Sequence, residues 1–369
     1  MQTTVINIDW LSFSLLMNLT EYEQMHGAEL ACPIGYTLQE YSGTNMYKRR
    51  HILYTYEGEK VMTLLHQPYS KIIHPASLFV EVANKYLYQD ISPIIQLLPQ
   101  IHSAQWQSLS RLDVCGDINP TQKQYHTIEQ LGSGAYYITG KREGAQFHDY
   151  NRHEGEQARV ERLPRQMSWG SKASEVKVKL YNKTLEIYEQ SPSGALWCTK
   201  PYIVDNWRAN GLDPNKVWRL EWSIMSAGQY ELNGKRLSLD NVNPADFTRL
   251  FWDLTAVRFQ PRVNEGHTAK RYDRLVDFLD IPDMEHYRLR KVEPRSQRQV
   301  TAHASTLRNL MKELARDEVR ATPAMRDTIL RATDSVIREA RLDNYFLKAT
   351  GKLWPDWVDS YLAGEYVTM

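Results

Sequence analysis

Residues 111–118 read Arg-Leu-Asp-Val-Cys-Gly-Asp-Ile, a stretch in which polar and apolar side chains largely alternate. Successive side chains of a β-strand point to opposite faces of its sheet, so Arg111, Asp113 and Asp117 share one face. The intervening Leu, Val and Ile side chains point to the other face. The stretch therefore predicts a strand whose apolar face packs on helices and whose polar face carries two carboxylates and a guanidinium.

Two further segments follow the same pattern. Residues 176–183 read Val-Lys-Val-Lys-Leu-Tyr-Asn-Lys, and residues 217–224 read Val-Trp-Arg-Leu-Glu-Trp-Ser-Ile. Their polar faces carry Lys177, Lys179, Tyr181 and Lys183 in the first segment, and Arg219 and Glu221 in the second. If the three strands are neighbours, their common face holds three carboxylates, several cations and one phenol.

This combination suits phosphoryl transfer. The carboxylates of Asp113, Asp117 and Glu221 are the hard oxygen ligands that Mg²⁺ or Mn²⁺ prefers. Tyr181 is then the candidate nucleophile. A phenol has a pKa of about 10 and needs activation, which nearby lysines or the metal would supply by favouring the phenolate.

The remaining patterns predict an α+β fold, with a largely antiparallel sheet backed by helices and then a mostly helical C-terminal region. A helix is predicted over Ser77–Tyr88, another begins at Asn243-Pro244, and long amphipathic segments cover residues 302–315 and 325–344. We expect a catalytic domain over residues 1–230 and a C-terminal region over residues 231–369. The predicted strands are Val5–Leu15, Arg50–Thr55, Lys60–Leu65, Leu109–Ile118, Ala135–Gly140, Gln166–Gly170, Glu175–Leu185 and Val217–Met225.

Composition sets wider bounds. The 369 residues are 42% hydrophobic and 24% charged with a net charge of +1, which is typical of a globular protein whose basic surfaces must be local. The three cysteines form no Cys-x-x-Cys pair, which argues against a disulfide framework or a zinc site. No export signal and no membrane-spanning segment is predicted, so we expect a cytoplasmic protein without a membrane partner.

Four segments, in this chain order, resemble the replication initiation factor family (Rep_trans) of rolling-circle plasmids, filamentous phages and mobile elements. They are residues 6–13 (Ile-Asn-Ile-Asp-Trp-Leu-Ser-Phe), residues 110–117 with the pattern Arg-x-Asp-x-x-x-Asp, residues 168–186 with Gly-Ser-x-x-Ser and Tyr-Asn-Lys-Thr-Leu-Glu, and residues 218–221 (Trp-Arg-Leu-Glu). The likeness covers roughly residues 5–226. Asn182 stands where the family commonly has an acidic residue, and Cys115 where it usually has an aliphatic one.

The resemblance implies a rolling-circle initiator that nicks and rejoins single-stranded DNA with Mg²⁺ or Mn²⁺. Tyr181 would attack a phosphodiester at an origin, become joined to the 5′ phosphate and free a 3′ hydroxyl as primer. Asp113 and Glu221 would be the leading metal ligands, with Asp117 third. Lys183 would hold phosphate, and Arg111 and Arg219 would orient carboxylates. The partner would be origin DNA that is single-stranded, or held as a hairpin or in supercoiled form.

Alternatives stay open at this point. A relaxase for conjugative transfer would use the same chemistry, whereas a non-enzymatic DNA-binding regulator would keep its carboxylates in ion pairs and stack Tyr181 on a base. Glu154 or Glu156 could compete as metal ligands. The C-terminal region could contact origin DNA, form a homodimer, recruit a host helicase or merely pack.

Overall fold

The computed structural model describes residues 3–70, 73–89, 91–138, 142–152, 159–170, 174–190, 196–238, 244–266, 273–283 and 285–292. The chain divides into two compact units, residues 1–291 and residues 292–369. The amphipathic segments predicted after residue 302, as well as Glu154 and Glu156, lie outside the described residues.

A ten-stranded sheet dominates the first unit, and each neighbouring pair of its strands is antiparallel. The strands are β1 (Val5–Met17), β2 (Tyr36–Ser42), β3 (Tyr47–Thr55), β4 (Lys60–Pro68), β5 (Ser77–Val82), β6 (Ala104–Ile118), β7 (Arg142–Arg152), β8 (Arg159–Trp169), β9 (Val176–Asn182) and β10 (Trp218–Met225). Their order is β2-β3-β4-β5-β1-β6-β10-β9-β8-β7. The three predicted polar strands β6, β10 and β9 are therefore direct neighbours.

The described residues also form six α-helices, which are α1 (Glu21–His26), α2 (Ser92–Ile101), α3 (Gln122–Ser133), α4 (Lys183–Ile187), α5 (Pro201–Ala209) and α6 (Pro244–Arg258). Single 3-10 turns occupy Asn84–Tyr88, Pro214–Lys216 and Ala227–Gln229. Two-residue and three-residue strands lie at Tyr136–Tyr137, Tyr188–Gln190, Leu196–Cys198, Tyr230–Leu232, Lys235–Arg236, Arg262–Val263 and Arg290–Lys291. The α+β prediction is confirmed.

Helix α6 covers the apolar face of the central strands. A Cβ atom added at Gly116 would lie 2.3 Å from Cζ of Phe251, so only glycine lets the helix approach β6 this closely. Trp222 donates a hydrogen bond of 3.1 Å from Nε1 to Oγ1 of Thr255. Helix α6 falls within the predicted C-terminal region over residues 231–369, and it packs in the core of the first unit.

The predicted helix over Ser77–Tyr88 is wrong. Ser77–Val82 forms strand β5 between β1 and β4, and only Asn84–Tyr88 is helical, as a 3-10 turn. Leu78, Val80 and Val82 are buried. Their spacing of two residues fits a strand, although together with the neighbouring apolar residues they also fit the spacing of a helix. Because the segment pairs with both β1 and β4, it forms a strand rather than a helix.

Among the described residues, no helix is long and apolar enough to cross a membrane. Cys32, Cys115 and Cys198 are all free thiols.

Candidate active site

Tyr181 lies near the end of β9 and is only 7% exposed. Its hydroxyl donates a hydrogen bond of 2.7 Å to Oε2 of Glu221 on β10. Nζ of Lys183 donates a hydrogen bond of 3.3 Å to the same phenol oxygen. The phenol oxygen thus contacts a carboxylate that can accept its proton and an amine that can stabilise its anion.

The turn after β9 brings Lys183 back towards Tyr181. Oδ1 of Asn182 accepts a hydrogen bond of 3.0 Å from the backbone N–H of Leu185, which caps the first turn of α4. The backbone N–H of Lys183 donates to the carbonyl of Val217, with a distance of 3.0 Å. Asn and Asp are equally good N-cap residues, so Asn182 can serve where the resembled family has an acid.

Lys183 has a second partner besides the phenol. It is 1% exposed and forms an ion pair with Glu186 one turn later in α4. The second oxygen of Glu186 accepts a contact of 3.0 Å from Nζ of Lys200. Burial lowers the pKa of Lys183, and the positive charge of Arg219 lowers it further. This amine is fixed in place and gives up its proton more readily than an exposed lysine does.

Two carboxylates, Asp113 on β6 and Glu221 on β10, lie on this same face of the sheet. Arg111 pairs with Asp113 through two contacts, of which the Nε–Oδ1 distance is 2.9 Å. Nζ of Lys179 lies 3.1 Å from Oε1 of Glu221. Each carboxylate is therefore buried behind one cation that solvent can reach, since the side chains of Arg111 and Lys179 are 28% and 36% exposed.

Burial raises the pKa of Asp113 to about 6; the hydrogen bond from Arg111 opposes this shift and the charge of Glu221 adds to it. Burial also raises the pKa of Tyr181 well above its usual value, and the nearby Glu221 charge adds to the effect. The resting site therefore holds a neutral phenol that is hydrogen-bonded to the side chain of Glu221.

Asp117 belongs to a different cluster. Nε and Nη2 of Arg219 donate to its two oxygens at 2.6 Å and 2.7 Å. Nε1 of Trp207, on α5, donates to Oδ2 at 2.7 Å. Asp117 and Arg219 are both 0% exposed. The side chains of Asp117, Arg219 and Trp207 are thus linked by hydrogen bonds in the core.

Asp9 and Tyr88 complete this second cluster. Asp9 lies at a register shift of β1, where its carboxylate pairs with Nη1 of Arg219 and accepts a hydrogen bond of 2.9 Å from the hydroxyl of Tyr88. Burial works to raise the pKa of Asp9, but the charges of Arg219 and Lys183 lower it below its usual value. Arg219 therefore bridges two carboxylates and stands opposite Tyr181 in the β9–β10 ladder.

The seven predicted site residues thus fall into connected groups. Tyr181, Lys183 and Glu221 contact one another, Arg111 contacts Asp113, and Arg219 contacts Asp117. In the part of the chain that the structure describes, no three His, Cys, Asp or Glu side chains are arranged to hold a metal ion. Asp113 and Glu221 are the pair whose donor chemistry fits a divalent cation, because each is buried, anionic by nature and paired with a displaceable surface cation.

Five residues of the site were not singled out from the sequence: Asp9, Tyr88, Glu186, Lys200 and Trp207. Asp9 stands within the quoted opening segment, at a register shift of β1, and such shifts interrupt the alternation from which faces are read. Glu186 lies one helical turn after Lys183, a spacing at which opposite charges meet, and this spacing could have indicated it.

No protein-family model matches the sequence, and no curated protein matches it. Among solved structures, the chain is similar to a rolling circle replication initiator protein from Geobacillus stearothermophilus. The identity is 13%, the TM-score is 0.41, and the likeness covers 75% of this chain and 94% of that chain. At these values the likeness has no bearing on the chemistry of the site.

Proposed function

We propose that this protein cleaves and rejoins single-stranded DNA with Tyr181 as the nucleophile, in the manner of an initiator of rolling-circle replication. The observation that carries the proposal is the placement of one buried phenol oxygen, 2.7 Å from Oε2 of Glu221 and 3.3 Å from Nζ of Lys183. A nucleophilic hydroxyl within hydrogen-bond reach of its base, with a further group orienting that base, is the arrangement that covalent catalysis requires. Lys179 on Glu221 supplies the orienting contact.

In the forward reaction Glu221 takes the proton of Tyr181, and Lys183 stabilises the phenolate. The phenolate oxygen attacks the phosphorus, the bond from phosphorus to the 3′ oxygen breaks, and the departing oxygen takes a proton from solvent. The products are a phosphotyrosine linked to the 5′ end of the downstream piece and a free 3′ hydroxyl on the upstream piece. Rejoining is the reverse: the 3′ hydroxyl gives its proton to solvent and attacks the same phosphorus, the bond to Tyr181 breaks, and the phenolate regains its proton from Glu221.

Mg²⁺ or Mn²⁺, held by Asp113 and Glu221, would polarise a non-bridging phosphate oxygen. Such ions usually use one or two carboxylates together with substrate phosphate and water, so Asp117 is not required as a third ligand. Arg111 would contact the substrate phosphate, since it is the exposed partner of its pair with Asp113. The expected substrate is origin DNA with an exposed single strand, and a relaxase for conjugative transfer would use the same chemistry.

Covalent capture tests the proposal. The protein is mixed with single-stranded and supercoiled DNA and Mn²⁺, and a protein–DNA adduct is sought on a denaturing gel. We expect an adduct that EDTA and Tyr181→Phe abolish. Tyr230→Phe is the matched control, because Tyr230 is also buried and also donates to a glutamate, Glu175, at 2.8 Å.

An adduct that survives in Tyr181→Phe would move the nucleophile elsewhere. Intact DNA binding without any adduct would favour the non-enzymatic regulator.

A further inference from the structure

A second group of aromatic and cationic side chains lies on the same face of the sheet, at its far edge. The hydroxyls of Tyr41 on β2 and Tyr54 on β3 are 2.9 Å apart. The guanidinium of Arg50 stands 5.3 Å from the ring centre of Tyr41. All three side chains are half-exposed. We refer to Tyr41, Arg50 and Tyr54 as the edge cluster.

The strand register connects the edge cluster with the candidate active site. Residues opposite one another in a ladder point to the same face. Ile52 lies between Arg50 and Tyr54 on that face of β3. A row of paired residues runs from Ile52 across the sheet to Arg111 on β6. That row consists of Ile52, Thr63, Glu81, Ser12 and Arg111. The edge cluster and the Asp113–Arg111 pair thus share one face.

Arg50 differs from its neighbour Arg49 in having no anionic partner. Within residues 3–70 and the other described ranges, no carboxylate pairs with Arg50, and its Nε atom is buried without a hydrogen-bond partner. Arg49 points to the opposite face and makes two hydrogen bonds to Glu40, of 2.7 Å and 3.0 Å. A guanidinium left without a partner beside aromatic rings is suited to a phosphate with adjoining bases.

We propose that the edge cluster is a second binding site for single-stranded DNA, which holds the strand that leads to the cleavage site. Bases would stack on Tyr41 and Tyr54, and Arg50 would contact a backbone phosphate. Six strand spacings of about 4.8 Å separate β3 from β9, or roughly 29 Å. At about 3.4 Å for each stacked nucleotide, this path spans roughly nine nucleotides. The link with cleavage rests on the proposed function, whereas binding itself does not.

The test uses the full chain carrying Tyr181→Phe, so that binding is measured without covalent capture. Fluorescence anisotropy with a labelled single strand of about 20 nucleotides is recorded over a range of salt concentrations. We expect Arg50→Ala to weaken binding by about tenfold and to flatten the slope of log K against log salt by about 0.7, the value for one lost phosphate contact. Tyr54→Ala should weaken binding by about tenfold without changing the slope.

Arg49→Ala is the matched control, because it removes a neighbouring arginine that points to the other face. We expect it to leave affinity and slope unchanged. Arg50→Lys keeps the charge and should keep the slope, and this variant remains informative even if Arg50→Ala lowers the melting temperature.

Equal effects of Arg50→Ala and Arg49→Ala would overturn the proposal, as would tighter binding of a duplex of the same length. A loss of adduct in Tyr181→Phe with no effect of Arg50→Ala on binding would leave the proposed function standing and remove only the edge cluster. The opposite pair of results, an adduct that does not depend on Tyr181 together with weaker binding by Arg50→Ala, would support the edge cluster and contradict the proposed function.

Discussion

Asp113 and Asp117 occupy the same face of the same strand, yet they have opposite surroundings. Asp117 is enclosed by Arg219 and Trp207, and each of its oxygens has a short hydrogen bond. Asp113 faces Arg111, whose side chain solvent can reach, and burial raises its pKa to about 6. The two aspartates look alike in the sequence pattern.

The difference comes from the neighbouring strand. Arg219 stands opposite Asp117 in the β6–β10 ladder, whereas Ser223 stands opposite Asp113. A buried carboxylate whose guanidinium partner is also buried contributes to the fold, whereas one whose guanidinium partner reaches solvent can exchange that partner for a cation or a proton. The position of a carboxylate in the register, rather than its residue type, thus separates structure from chemistry here.

Removing the buried guanidinium should have the largest effect. We expect Arg219→Met to lower the free energy of unfolding by about 3–5 kcal/mol, because it leaves Asp117 and Asp9 buried without their cation. Urea denaturation at pH 7 measures this loss. Arg111→Met is the control: Arg111 is 28% exposed, and Asp113, with a pKa of about 6, can take up a proton when its cation is removed, so the loss should be clearly smaller than for Arg219→Met. Equal losses of unfolding free energy in the two variants would show that Asp113 and Asp117 do not differ in how much their ion pairs stabilise the fold.

Asp113→Asn should have the next largest effect on the free energy of unfolding, and the sign of this effect depends on pH. The folded-state pKa of about 6 exceeds the ordinary value of 3.8, so the folded protein holds more protons than the unfolded chain between these values. Stability should therefore fall as the pH rises from about 4 to about 6, by about 3 kcal/mol from this group. An asparagine side chain does not titrate in this range, so the Asp113→Asn variant should lack this slope.

Denaturation of both proteins at several pH values between about 4 and about 7 measures the difference. Parallel pH profiles would mean that Asp113 is not the titrating group. The same variant should lose adduct formation, so that a gain in stability above pH 6 accompanies a loss of activity.

A smaller effect is expected at the turn that positions Lys183. Asn182→Ala removes the N-cap of α4 and should cost about 1 kcal/mol. Asn182→Asp keeps the cap and should be nearly neutral. Thermal unfolding of the two variants checks this pair. A similar loss in both would show that capping is not the role of this side chain, since aspartate accepts the same hydrogen bond.

Much of the sheet was predictable because alternation is a local property. The polar faces of β6, β9 and β10 are as expected, and these strands are neighbours in the sheet. The α+β class followed from the same patterns. Helix α6 likewise begins beside the predicted Asn243-Pro244 signal.

Two features could not be read from local patterns. Strand β5 has apolar residues that fit either a helix or a strand, and only its pairing with β1 and β4 distinguishes the two. The division between Asp113 and Asp117 depends on which residue of a distant strand lies opposite each of them. Register between distant strands is set by the whole sheet, so residue spacing alone does not reveal it.

The sheet order also has a consequence for synthesis. Arg219 joins partners that precede it by 102 residues in Asp117 and by 210 residues in Asp9. Strand β10 lies between β6 and β9, so a nascent chain that ends before it exposes two unpaired strand edges. We therefore expect the first unit to fold late and slowly, as sheets rich in distant contacts do. A ribosome-bound fragment that lacks β10 would also lack Glu221, so it could not assemble the proposed active site.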